Sequence, residues 1–514
     1  MIGTSTPEYI FIRASIAGLR AITPLSVLYC GFCVVRPPQS IVGKVLVAWA
    51  AIETAFYFLV YLPRKHILQK AADHPEPLDP EHRKVLFQRC FSTIPDAELY
   101  LSKWFLGSPM EDIKRENIKD FFRWAFLNTA DYNPADEEEL ETYINGVEEL
   151  LGRKIEPGRG SAKCLRLTID EVGMMHRSFF WYCIVGLVDT ATAVHFKYRG
   201  FNLYRTPLRR FFDVFPLRPL TLFSTHHSPA EHTSYWYRPH TSKTKLPVLF
   251  VHGIGIGLFP YVQFFGEINQ SEDYKASDGD VGIIAVEIMP ICMRITPAAI
   301  AKEDMCREIN SILEKHGWDK FVLISHSYGT VISTHLLQNP TVAPKIGPIL
   351  LVDPVTFLLH LPDVAYNFTA RKPRTANEHQ LYYLASQDMG VSHTLSRHFF
   401  WNENILWLED IEKHDVTVSL SGRDLIVNSD AVGRYLVGAA PESSESGSAW
   451  SDDDGAWKEA PWGGVGLDVL WWQEADHAQV FDIVRARKKL VEVVKRYVRS
   501  GKGANGTVYG TIKG

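Results

Sequence analysis

The chain lacks the cysteine spacing of either a disulfide framework or a zinc site. Its seven cysteines are scattered from Cys30 to Cys306, and no C-x-x-C pair has histidine partners. Mostly reduced thiols are expected. A basic domain is also missing. The net charge is −5, which excludes a broad nucleic-acid surface. No internal repeat is visible, and no P-loop lysine follows the glycine-rich stretch HGIGIG at 252–257. That stretch also lacks the helix-opening G-x-x-G spacing, which argues against phosphate binding. No clear small-x-small cleavage site follows the first apolar run, which weakens a signal-peptide reading.

What is present is apolar sequence in quantity. Hydrophobic residues make up 46% of the 514 positions, and the length predicts two or three domains. Ala21 to Val35 and Ile41 to Leu62 are apolar runs separated by a short polar break. The second is long enough for a bilayer core, which needs about 20 residues. Pro24 interrupts the first run. Arg13 and Arg20 precede the pair, Arg36 and Lys44 lie between, and Arg64, Lys65 and Lys70 follow. A hairpin at 1–66 with both ends in the cytosol is expected. A pair of buried core helices is the alternative. Glu53 would cost a few kcal/mol in lipid unless it is paired, which keeps a shallow hairpin open.

Residues 67–229 read as a helical region. EDIKRENIKDFFRWAF and ADEEELETYINGVEELLG carry apolar residues at helical spacing. The expected role of this part is packing. FFWYCIVGLVDTATAVHF, with Asp189 and His195, is either a buried helix or one lying in a lipid interface. From 230 to 500 the pattern changes to apolar strands alternating with helices. PVLFVHG, VGIIAVEI, KFVLISHS, GPILLVDP, VTVSLSG and LDVLWW are the strand candidates. They predict an α/β fold, a mostly parallel sheet covered on both faces. Two insertions break the rhythm. Residues 355–412 are aromatic, and residues 440–464 are acidic and rich in Ser, Gly and Pro, predicting disorder. The tail 501–514 is expected to be flexible. Glycosylation triplets occur at Asn367 and Asn505.

VLISHSYGTVI places Ser327 where a strand meets a helix, with Ser325 and Gly329 two positions to either side. A tight turn there needs small neighbours, and the helix N-terminus would favour a negative charge near the serine. The stretch resembles the nucleophile elbow of α/β-hydrolases, with serine in place of the first glycine. Together with the apolar hairpin and the HGIGIG loop, the chain resembles fungal membrane-tethered α/β-hydrolases. The resemblance covers roughly residues 235 to 500 and implies an α/β-hydrolase fold with a lid at 355–412. It implies Ser327 as nucleophile, Asp424 in SGRDLIVNS as acid and His477 in QEADHAQVF as base. The backbone N–H groups of Ile254 and Tyr328 would form the oxyanion site. Asp353, ending the preceding strand, is the rival acid. His393, His398 and His414 suit the base role less well. No cofactor or metal is implied.

The expected activity is hydrolysis of carboxylic esters, drawn from lipid because of the aromatic lid and the membrane hairpin. The expected place is the endoplasmic reticulum or a lipid droplet, with the active domain facing the cytosol. Two alternatives stay open. His477 and Asp482 fit the H-x4-D pattern of some lipid acyltransferases, and a non-enzymatic lipid- or protein-binding member would keep the fold alone.

Overall fold

The computed structural model describes residues 2–270, 278–438 and 455–499. The flexible tail expected at 501–514, with Asn505, and most of the disordered insertion expected at 440–464 lie outside the described residues. Residues 455–464 depart from that expectation of disorder. Trp457 is buried with its ring 5.2 Å from Trp471, and Lys458 pairs with Asp430 at 2.5 Å. Two indoles pin the stretch, Trp457 by burial and Trp462 by donating from Nε1 to Thr417 Oγ1 at 3.0 Å.

Nine strands form one sheet among the described residues. They are β1 (Asn202–Arg205), β2 (His226–His227), β3 (Ser234–Arg238), β4 (Val248–Val251), β5 (Ile283–Glu287), β6 (Phe321–His326), β7 (Ile346–Val352), β8 (Val416–Ser421) and β9 (Leu467–Trp472). Their order is β2-β1-β3-β5-β4-β6-β7-β8-β9. β3 runs antiparallel to both β1 and β5, and the pairs from β5 through β9 are all parallel. The sheet therefore begins at Asn202, before the sequence-based boundary at 230. β1 and β3, NLYR and SYWYR, mix polar and aromatic residues, so they do not stand out as apolar runs.

Every residue of β4, β5, β6 and β8 is buried. That requires cover on both faces. Lys302–Lys315 and Gly329–Gln338 pack on one face through Ile309, Ile312, Val331 and Leu336. Val262–Ile268 and Val484–Arg499 cover the other through Phe264, Phe265, Leu490 and Val494. The expected lid follows β7 and spans to β8. It is built from short helices with buried Leu359, Phe368, Leu381 and Leu406.

Three helices are long and apolar enough to cross a bilayer by length and composition: Thr6–Val35, Ile41–Ile67 and Phe179–Tyr198. The first begins earlier than the apolar run does. A capping box of Ser5 and Glu8 starts it, and Pro24 lies inside it without ending it. Glu53 is fully buried and accepts from the amides of Phe179 (2.9 Å) and Phe180 (2.8 Å). The carboxylate thus sits on the N-terminus of the third apolar helix, where unpaired N–H groups and the helix dipole favour it. Asp189 on that helix is matched by Arg218 (3.0 Å) and Arg294 (2.8 Å). Glu53, which looked costly in the sequence, and Asp189 are both structural ties.

The helices Pro80–Phe91, Ala97–Trp104, Arg115–Leu127 and Glu137–Leu151 share their own aromatic core. They also meet the lid. Trp401 Nε1 donates to the Ala125 carbonyl at 2.8 Å, and Lys103 pairs with Asp363 at 2.7 Å.

Candidate active site

The turn after β6 is strained in the way a nucleophile elbow requires. Ser327 has φ of +51°, the left-handed region that a side-chain-bearing residue enters only at a cost. Its amide donates to the Val352 carbonyl (3.0 Å), and the Thr330 hydroxyl and amide both donate back to its carbonyl. Gly329 has no alternative. A Cβ there would lie 2.3 Å from the Val251 carbonyl oxygen. Serine is tolerated at 325 because the helix presents a small partner. The Ser333 hydroxyl donates to Ser325 Oγ at 2.8 Å, so the buried hydroxyl is satisfied.

The order of strands, the antiparallel β3 and this elbow settle the architecture. The chain has the α/β-hydrolase fold. In chain order, the loops after β6, β8 and β9 carry Ser327, Asp424 and His477.

The structure brings these three side chains together. Ser327 Oγ donates to His477 Nε2 at 2.8 Å, and His477 Nδ1 donates to Asp424 Oδ2 at 2.7 Å. Asp424 Oδ1 accepts from the amides of Ile426 (2.7 Å) and Val427 (2.9 Å), which fixes the carboxylate plane. The amides of Ile254 and Tyr328 have no protein acceptor among the described residues. Ile254, Ser327 and Tyr328 line one cleft. The loop bearing Ile254 is held from below. His252 donates from Nδ1 to the Gly253 carbonyl (2.7 Å) and accepts from the Ile288 amide on Nε2 (2.9 Å). Burial keeps its pKa low, so it stays a neutral brace.

Of the other histidines weighed from the sequence, none joins the site. His393 and His398 lie beside each other with ring centroids 5.2 Å apart and planes tilted by 58°, and His414 bonds the Gly347 carbonyl at 2.9 Å. Asp353, the rival acid, does not reach the ring nitrogen. Its Oδ2 accepts from the Ala478 amide at 2.8 Å, and it holds the loop that carries His477. Asp353, Asp424 and His477 place ligand-type atoms within 4.8 Å of one another, a spacing a metal could use. Both nitrogens of His477 are already committed to Ser327 and Asp424, so the imidazole offers no free lone pair.

Two supporting residues escaped the sequence reading. Asp476 Oδ1 accepts from the amides of His477 (2.7 Å) and Leu425 (3.1 Å), tying the loop of His477 to that of Asp424. Its Oδ2 accepts from Asn377 of the lid at 2.8 Å. The only signal was adjacency, the acid before histidine in EADH. Tyr261 bridges the Gly253 amide and His326 Nδ1, which no local pattern announces.

Burial pushes the His477 pKa down, but Asp424, through its charge and hydrogen bond, and then Asp353 and Asp476 outweigh it and raise it to about 9. Burial, then Asp424, drives the Asp353 carboxyl upward. A base must be neutral to accept a proton. Activity that depends on His477 should therefore rise with pH through neutrality and level off above about 9. Asp353→Asn removes one group that favours the imidazolium, so its limb should move to lower pH. A profile of kcat/KM against pH for the two proteins checks this.

The cleft above Ser327 is narrow and apolar, about 60 Å³. Val355, Leu359, Phe368 and Phe399 of the lid line it, and so do Trp104, Trp124 and Leu167. The helical region, expected only to pack, thus supplies part of the wall.

No protein-family model matches the chain, and no curated protein does. Solved structures do. A bacterial membrane phospholipase A is similar at 10% identity and a TM-score of 0.37, covering 63% of this chain and 94% of that one. A carboxylesterase of the ammonia-oxidizing thaumarchaeon Nitrososphaera gargenis is similar at 15% identity and 0.33, covering 52% and 95%. A haloalkane dehalogenase from Agrobacterium tumefaciens is similar at 10% identity and 0.33, covering 52% and 93%. A fold hosts many activities, so function has to be argued from the site.

Proposed function

We propose that the chain is a membrane-associated serine hydrolase that cleaves carboxylic esters of lipids. The observation that carries this reading is the unbroken hydrogen-bonded line from Ser327 through His477 to Asp424, beside two unmatched amides. In the proposed mechanism His477 takes the Ser327 proton as Oγ attacks the carbonyl carbon, forming a tetrahedral intermediate. Asp424 keeps the proton on Nδ1 and stabilises the imidazolium. The amides of Ile254 and Tyr328 receive the oxyanion, at about 3 to 4 kcal/mol per donor. His477 then protonates the leaving alcohol, and water releases the acid from the acyl-enzyme by the reverse steps.

The apolar cleft and lid support a lipid-derived acyl group. At about 60 Å³ the cleft is less than half the size of a cavity that takes benzene, roughly 150 Å³. A long chain therefore requires the lid residues to move. The purified protein should cleave long-chain esters in micelles and leave short, water-soluble esters largely intact. Ready cleavage of the short ones alone would remove the lipid assignment.

Membrane attachment is supported by the hairpin tip. Val34, Val35, Ile41 and Val42 are 69–83% exposed, and burying each in lipid is worth about 1.5 to 3 kcal/mol. We assign the hairpin to the membrane of the endoplasmic reticulum or a lipid droplet, with the sheet on the cytosolic side. Val35→Asp with Ile41→Asp should abolish co-flotation with phosphatidylcholine vesicles while leaving the thermal midpoint in place. Unchanged flotation would move the anchor elsewhere.

A further inference from the structure

A second cavity, about 450 Å³, lies on the far side of Tyr328 from Ser327. That is well within the range of small-molecule sites, about 300 to 1,000 Å³. It does not contain Ser327. Tyr328 lines both it and the Ser327 cleft. The rest of the partition is the lid stretch 398–401, and the two cavities take alternate residues from it. His398 and Phe400 face the larger cavity, while Phe399 and Trp401 face the Ser327 cleft. Phe400 is extended, φ −100° and ψ 114°, and extended backbone sends successive side chains to opposite sides. The wall is thus one residue thick, and the Tyr328 ring sits 6.2 Å from Phe399.

The rim of the larger cavity includes the exposed Leu208 on one segment and the exposed pair Pro297 and Ala298 on another, with Asp73, Ala301 and Glu303 also exposed. A bridge between Phe215 and Ile295 ties the first two segments together. Beside this rim two aromatic rings stand out into solvent. Phe212 and Phe223 are 79% and 80% exposed. This patch is continuous with the third apolar helix, through Phe215 against Phe179 at 5.9 Å and Arg218 on Asp189. Inside, three of the lining cations meet carboxylates, and the fourth, Arg205, spends its guanidinium on the Ser224 and Thr206 carbonyls and on His227. Arg218 binds Glu287 at 2.8 Å, Arg210 binds Asp213 at 3.1 Å, and Lys302 faces Glu403 at 3.7 Å. Each lining cation is thus already partnered, which disfavours an anion, and an uncharged, mainly apolar occupant fits the walls of Val214, Ile288, Met289 and Ile300.

We infer that this cavity receives the long-chain alcohol portion of the ester, admitted from the lipid side, while the acyl portion lies in the Ser327 cleft. The inference rests on the hydrolase reading above, and it names where the leaving group sits. The ester then straddles the partition at Tyr328, whose amide is the proposed oxyanion donor. Movement of Phe399 and Phe400 joins the two spaces.

The test uses the full chain carrying Ser327→Ala in phosphatidylcholine vesicles, with a diazirine-bearing hexadecanol as photoprobe. Crosslinks should map to residues 205–214 and 296–305. They should fall at least tenfold in Ala299→Trp and in Ala298→Trp, which plug the cavity at its rim. In the protein with Ser327 restored, the same plugs should lower the hexadecyl-to-methyl rate ratio for esters of one fatty acid at least tenfold. Crosslinks confined to residues 6–67, crosslinks that persist in both plugged variants, or competition by an alkyl phosphate stronger than by the neutral alcohol would each overturn the assignment. Crosslinking at the chamber in a protein that hydrolyses no ester would sink the hydrolase reading and leave the chamber standing.

Discussion

Alanine at position 327 should lower turnover of a long-chain ester by about a million-fold. Ser327 Oγ has one partner among the described residues, His477 Nε2, so its removal leaves no buried donor or acceptor in the elbow itself. What is lost is the acyl-enzyme. The amides of Ile254 and Tyr328 and the apolar cleft remain, and they account for the small rate left over water. Alanine keeps the Cβ and therefore the strain of the left-handed φ. Glycine relieves it, so Ser327→Gly should be equally inactive yet more stable than the wild type by about 1 kcal/mol. Steady-state kinetics and thermal melts on the two variants separate strain from chemistry. A variant that keeps even a tenth of the activity would move the nucleophile elsewhere.

Asp424→Asn should cost about 10⁴ in kcat, through the wrong tautomer of His477. The surrounding amides decide this. Ile426 and Val427 both donate to Oδ1, so the asparagine oxygen must take that place. Its NH₂ then stands where Oδ2 accepted from Nδ1. A donor facing Nδ1 forces the ring to carry its proton on Nε2, the atom that has to receive the Ser327 proton. Asp353→Asn should fall far less, because its carboxylate holds the Ala478 amide and not the ring. A loss at Asp353 as large as that at Asp424 would exchange their roles.

The parts of the fold that showed in the sequence are those whose physics is local. β4 through β8 are short apolar runs because both their faces are covered, and a buried strand cannot hide that composition. The elbow was legible because Gly329 and Ser325 are small for a steric reason that acts two residues away. Asp424 and His477 were placed by the fold that the elbow implied, and the sequence offered Asp353 as a rival because their distances depend on three separate loops. β1 and β3 stayed hidden, since SYWYR and NLYR alternate with no clean period. Glu53 reads as a cost in lipid, and the role of Asp189 stays open, because their partners, the helix start at Phe179 and Arg218 with Arg294, are distant in the chain. Trp104 and Trp124 read as core, and only the tertiary arrangement puts them over Ser327.

The central claim is that Ser327 is a nucleophile activated by His477. Its most direct test is peptide mapping of the wild-type chain after reaction with a fluorophosphonate. The account predicts one covalent adduct, on the peptide containing Ser327, with its formation slowed greatly in His477→Ala. A folded protein that takes up no label, or takes it at a different serine, would contradict it.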